Sequence, residues 1–123
     1  MENIIFESAA HEKKYFDLLH RAEITADSHN PELKAVLYLL ALIRRNENSL
    51  YDFKENVIKP ESIGEPWQTG NTARATRLMF ILWNGYNAEP DQSQNSIYNI
   101  FGYSEWDKYY IQALKIRYPY TTE

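Results

Sequence analysis

From Pro66 to Ala88 the chain carries only two charged side chains, Arg74 and Arg77. If this stretch is helical, residues three apart lie side by side on one surface. Each arginine there offers a planar fork of donors suited to a carboxylate or a phosphate. Two chemistries follow. An external anion, a phosphate or a partner's carboxylate, could be held by both guanidiniums together with the backbone amides of Gly70, Asn71 and Thr72 at a helix start. Alternatively, the arginines pair within the chain with Asp52, Glu55, Glu61 or Glu65, and the acidic segment preceding them makes this the simpler reading. A phosphate-binding P-loop is excluded, because five residues separate Gly64 from Gly70 and Asn71 stands where the lysine belongs.

Other reactive residues form no constellation. There are no cysteines, which removes disulfides, thiolate metal sites and cysteine nucleophiles. His11, His20 and His29 recur every nine residues, about half a turn out of phase on a helix, so His11 and His20 cannot share a metal. The run His11-Glu12-Lys13-Lys14-Tyr15 begins like a zinc-protease motif but lacks the second histidine. His11 is therefore expected to hydrogen-bond within the fold. No nucleophile elbow is present. The chemistry supports no catalytic residue, metal or cofactor, although a convergent triad would leave no local trace.

Charge points the same way. Thirteen basic against seventeen acidic side chains give a net charge of −4, which disfavours binding to nucleic acid by general counterion release. Lys108, Tyr109, Lys115, Arg117, Tyr118 and Tyr120 come nearest to a basic and aromatic surface. Glu105 and Asp107 interrupt it, so nucleic-acid binding is a minor option. Tyrosine is abundant: there are ten, seven of them from Tyr86 to Tyr120. A large apolar face with a polar tip suits a partly wet core or a protein interface. As interface candidates the sequence offers Trp67, Tyr103, Tyr109, Tyr110, Tyr118 and Tyr120, with the loop from Pro60 to Gly70 as a second surface.

The elements that must position these residues are helical. Ser8 caps a first helix through Tyr15, Phe16, Leu18, Leu19 and Ala22. Asn30-Pro31 opens a second, to about residue 45, that is apolar around most of its circumference. Asn48 or Ser49 opens a short third helix through Tyr51, Phe53 and Val57 to Lys59. A fourth spans about 72–84, a short one 96–101, and the last runs from Ser104 and Asp107 to Pro119. No alternating run supports a strand. The expected fold is all-α, one domain over residues 1–123, with five or six helices and the second and fourth at its centre.

Against that frame Arg74 and Arg77 are out of order. The other long helices place acids early and bases late, as the helix dipole favours: Glu32 before Arg44 and Arg45, and Asp107 before Lys115 and Arg117. Only the fourth helix puts its bases first. The cost is about 0.3–1 kcal/mol per charge, enough to expect an anion nearby.

The N-terminus lacks the basic and apolar regions of a signal peptide. The longest apolar run, Ala35 to Ile43, is about half a membrane span. The expectation is a soluble, cytoplasmic protein with no membrane association.

The segments YDFKENVI, WQTGNTARATRLMFILWNGY, SIYNIFGYS and ALKIRYPY resemble a family of small uncharacterised proteins of Gram-positive bacteria, their phages and mobile elements. The likeness runs from Phe6 and His11 through Tyr51-Asp52-Phe53 and Trp83-Asn84-Gly85-Tyr86 to Arg117. The family is a domain of unknown function, so it supplies no site residues. What the resemblance implies is a habit: small acidic helical proteins of mobile elements often bind and obstruct another protein, including host defence proteins. The function expected is protein–protein interaction, with a homo-oligomer on the same surface as a further option. The alternative is anion or nucleic-acid phosphate binding through Arg74 and Arg77.

Overall fold

The computed structural model describes residues 4–55, 57–59, 70–83, 100–102 and 104–118. Helix α1 covers Ala9–Arg21. The Ser8 hydroxyl accepts from the His11 N–H at 3.2 Å, so the cap satisfies one of the four donors a helix start leaves open. Its buried residues, His11, Tyr15, Leu18 and Leu19, recur at the spacing of a single helical stripe.

Helix α2, Pro31–Ile43, begins with proline at its first position, and the Asn30 side chain accepts from the Leu33 N–H. All its residues from Ala35 to Ile43 are buried. It ends earlier than expected, because Arg44 turns into the left-handed region at φ 61°. The chain reverses there, so Arg44 and Arg45 lie beyond the helix.

The third helix departs from expectation. Helix α3 is one turn, Glu47–Leu50, and the chain then forms an antiparallel pair of short strands, β1 (Tyr51–Asp52) and β2 (Val57–Ile58). The cause is local. The Asp52 carboxylate accepts from the N–H groups of Lys54 and Glu55 at 2.9 and 3.0 Å, turning the chain where a helix would have continued. The β-branched pair Val57-Ile58 then suits a strand. Among the described residues this hairpin is the exception in an otherwise all-α fold.

Helix α4 runs Gly70–Leu82, two residues ahead of its expected start, and α5 runs Asp107–Arg117. The Asp107 carboxylate accepts from the Gly102 N–H at 2.8 Å and the Ser104 hydroxyl from the Trp106 N–H at 3.1 Å, which closes the turn before α5. Gly102 holds φ 91°, the conformation expected of a glycine ending a helix. The short helix expected over 96–101 falls mainly outside the described residues.

Helices α1, α4 and α5 all pack on α2, and one hydrophobic cluster joins them to the hairpin. Burying a leucine of α2 is worth about 1.5–3 kcal/mol, and Leu37, Leu39, Leu40 and Leu42 are wholly buried. Arg117 ties the far ends together: its Nε donates to the Leu82 carbonyl at 3.0 Å, and its Nη2 lies 3.7 Å from the Glu32 carboxylate. One cation thus meets the negative end of α4 and the acid that opens α2.

Candidate functional site

The α4 start is engaged by the fold. Arg74 Nη2 donates to the Asn71 side-chain oxygen at 2.7 Å, and the Tyr110 hydroxyl donates to the Asn71 carbonyl at 3.1 Å. Gly70 lies beneath the guanidinium, since a Cβ added there would sit 3.3 Å from Arg74 Nη1. The amide oxygen of Asn71 is therefore one of the groups that meets Arg74. Burial raises the Tyr110 phenol to about 12, with Arg74 opposing the shift. Thr72 is buried and Arg77 half-buried one turn on. Of the acids expected opposite the arginines, Asp52 turns toward its own backbone and Glu55 is exposed, while Glu61 and Glu65 lie outside the described residues.

The tyrosines divide. Tyr110 is completely buried, its ring edge-on to Phe101 at 5.7 Å, and Tyr109 is 9 % exposed. Both belong to the core rather than to an interface, because Tyr110 is covered by Phe101 and the α4 start and Tyr109 lies edge-on to His11 of α1. Tyr118 is 44 % exposed with the Arg117 guanidinium 4.8 Å from its ring centre. Trp67, Tyr103 and Tyr120 lie outside the described residues.

A second cluster, absent from the sequence-based candidates, surrounds His11. This ring is wholly buried, yet both its nitrogens are used. The Glu7 N–H donates to Nδ1 at 3.0 Å and Nε2 lies 3.0 Å from the Tyr38 carbonyl, which places the proton on Nε2. Burial is the main cause that lowers its pKa to about 4, with the Arg44 charge assisting. The segment before α1 is held by the same neighbourhood. Gln112 Oε1 accepts from the Ile5 N–H at 3.0 Å, and the Tyr38 hydroxyl donates to the Ile5 carbonyl at 2.6 Å. Arg44 pairs with the Glu7 carboxylate at 2.6 Å and so holds that acid below its usual range.

The Phe6 ring lies among His11, Tyr15, Phe16 and Tyr38, with centroids 5.1, 5.7, 6.3 and 5.8 Å away. Its neighbours Ile5 and Phe16 are each 45 % exposed. Phe16 occupies a helix position about 100° from Tyr15, off the buried stripe of α1, and this offset was the available signal. The contacts to Gln112 and Tyr38 had none, because they join residues far apart in sequence.

Among the described residues, no group of three histidines, cysteines or acids could hold a metal ion. No helix among them is long and apolar enough to cross a membrane.

The chain belongs to the family described as "Family of unknown function (DUF6075)", whose match covers residues 1–123. No curated protein and no solved structure matches the chain.

Proposed function

We propose that this protein works by binding another protein, and that Ile5 and Phe16, flanking the anchored Phe6, form the contact surface. The observation that carries this reading is the state of Phe16: its ring is half-exposed, yet it packs edge-on against Tyr15 at 5.2 Å and beside Phe6. An aromatic ring already fixed by its neighbours loses little entropy when a partner covers it, and aromatic anchors of this kind dominate interface energies. The finer reading is a cytoplasmic inhibitor or modulator, encoded by a phage or mobile element, that obstructs a host defence protein. The likeness to small acidic helical proteins of that origin supports it.

The test is affinity capture from a host-cell extract with the wild-type chain and a Phe16→Ser variant. The reading requires a partner retained by the first and lost by the second at unchanged helical content. Equal recovery of every captured protein would refute the surface.

The second reading, anion or phosphate binding at the α4 start through Asn71, Thr72, Arg74 and Arg77, draws on the lack of an acid in that helix's first turn. The engagement of Arg74 and Asn71 with each other and with Tyr110 weighs against it. Salt-dependent binding of inorganic phosphate or an oligonucleotide, abolished in Arg74→Ala and Arg77→Ala, would restore it.

A further inference from the structure

The segment Ile5-Phe6-Glu7 sits in its groove as a bound peptide would. Its backbone groups are met by side chains of three different helices: Gln112 of α5 takes the Ile5 N–H, Tyr38 of α2 donates to the Ile5 carbonyl, and His11 of α1 takes the Glu7 N–H. Phe6 fills a ring-lined pocket and Arg44 reads the carboxylate of Glu7. Side chains projecting from helices that pack on one core form a preorganised set of receptors, independent of whether the segment belongs to the same chain.

The groove also needs an occupant. His11 and Gln112 are 0 % and 8 % exposed with the segment in place, so vacating the slot would break both bonds to it and open these acceptors to water.

We propose that the groove between α1, α2 and α5 is a peptide-recognition slot that the chain fills with its own residues 5–7, and that its other occupant is an extended segment of a partner protein. The occupant in place defines the chemistry: an aliphatic residue, an aromatic ring and a carboxylate in that order. This deepens the protein-interaction reading and rests on it. The partner's segment displaces the chain's own, while Phe16, which stays on α1, marks where the slot opens to the surface. Because the resident segment competes at the high effective concentration of a tethered ligand, weakening it strengthens binding in trans. A merely structural strap would not behave in this way.

The probe is a fluorescein-labelled, end-blocked peptide of sequence IIFES, followed by anisotropy on the full chain. Saturable binding is expected to be about tenfold tighter to Phe6→Ala than to wild type. Adding Arg44→Ala, or replacing the phenylalanine of the peptide with alanine, should weaken it again. If Phe6→Ala does not fold by circular dichroism, Glu7→Ala serves instead, since it removes the carboxylate's contacts to Arg44 and Ser8 and leaves the Phe6 ring in place. Three results overturn the proposal: no saturable binding to a folded variant, equal binding of a scrambled peptide, or dimerisation of the peptide-free chain by exchange of its own segment. Failure here alongside Phe16-dependent capture of a partner removes the slot and leaves the surface. Failure of both removes both.

Discussion

His11 Nε2 lies 3.0 Å from the carbonyl oxygen of Tyr38, and with Nδ1 accepting from Glu7 the buried ring is bound as a neutral imidazole. Protonation would put a second hydrogen where Nδ1 must accept, beside the positive Arg44. The folded pKa of about 4 is below the ordinary 6.5, so the unfolded chain binds the extra proton first. Neutral His11 therefore contributes stability that is full above about pH 6.5 and is lost as the pH falls toward 4. The whole effect is roughly 3 kcal/mol, of which about 2 is gone by pH 5. Urea unfolding at pH 7 and pH 5 should show this loss in wild type and a much smaller one in His11→Gln. Equal losses in the two proteins would mean that the carboxylates alone set the pH dependence.

Arg117 is expected to matter more than an exposed ion pair. Its Nε bond to the Leu82 carbonyl caps α4, while its 3.7 Å approach to Glu32 is the weaker of the two contacts. Arg117→Ala should cost about 1–2 kcal/mol in urea unfolding. Glu32→Gln should cost less than half of that, and a larger loss from Glu32→Gln would assign the effect to the ion pair.

Tyr110→Phe removes the donor to the Asn71 carbonyl and keeps the buried ring. The expected loss is about 0.5–1.5 kcal/mol. Gly70→Ala should cost less than about 1 kcal/mol, because the crowding atom is the movable end of Arg74. A severe loss from Gly70→Ala would show that Arg74 is held far more tightly than its bond to Asn71 implies.

Core and surface aromatics on α1 should separate cleanly. Tyr15→Ala empties a site that is 1 % exposed and should cost about 3–5 kcal/mol. Phe16→Ser, at a half-exposed position, should cost about 1 kcal/mol. Thermal denaturation of the two variants side by side measures the difference.

The helical frame was legible because its signals are local. Ser8, Asn30-Pro31 and the apolar run of α2 announce their elements through caps and periodicity, and the structure uses each of them. The hairpin was not legible, since Asp52 turning onto Lys54 and Glu55 competes with a helical pattern that Tyr51, Phe53 and Val57 also satisfy. The reversed charge of α4 pointed to an anion beside Arg74 and Arg77, and one group that meets Arg74 is the neutral amide of Asn71, a residue the sequence had assigned to the same ligand-binding set. The density of tyrosines in α5 suggested a surface, yet Tyr110 packs on Phe101 and the α4 start and Tyr109 beside His11. Composition carries no information about which side of a helix is covered. The groove around Phe6 depends on Gln112, Tyr38 and Arg44 meeting a segment more than thirty residues away, and no local pattern encodes that meeting.

The central claim, that the protein acts through a protein partner bound at Ile5 and Phe16, is tested most directly by quantitative affinity capture. Wild type, Phe16→Ser and the Arg74→Ala, Arg77→Ala double variant are compared after each is shown to be folded. The account predicts a partner recovered by wild type and by the arginine double variant and lost with Phe16→Ser. A partner kept by Phe16→Ser and lost with the arginine double variant would contradict it and place the function at the start of α4.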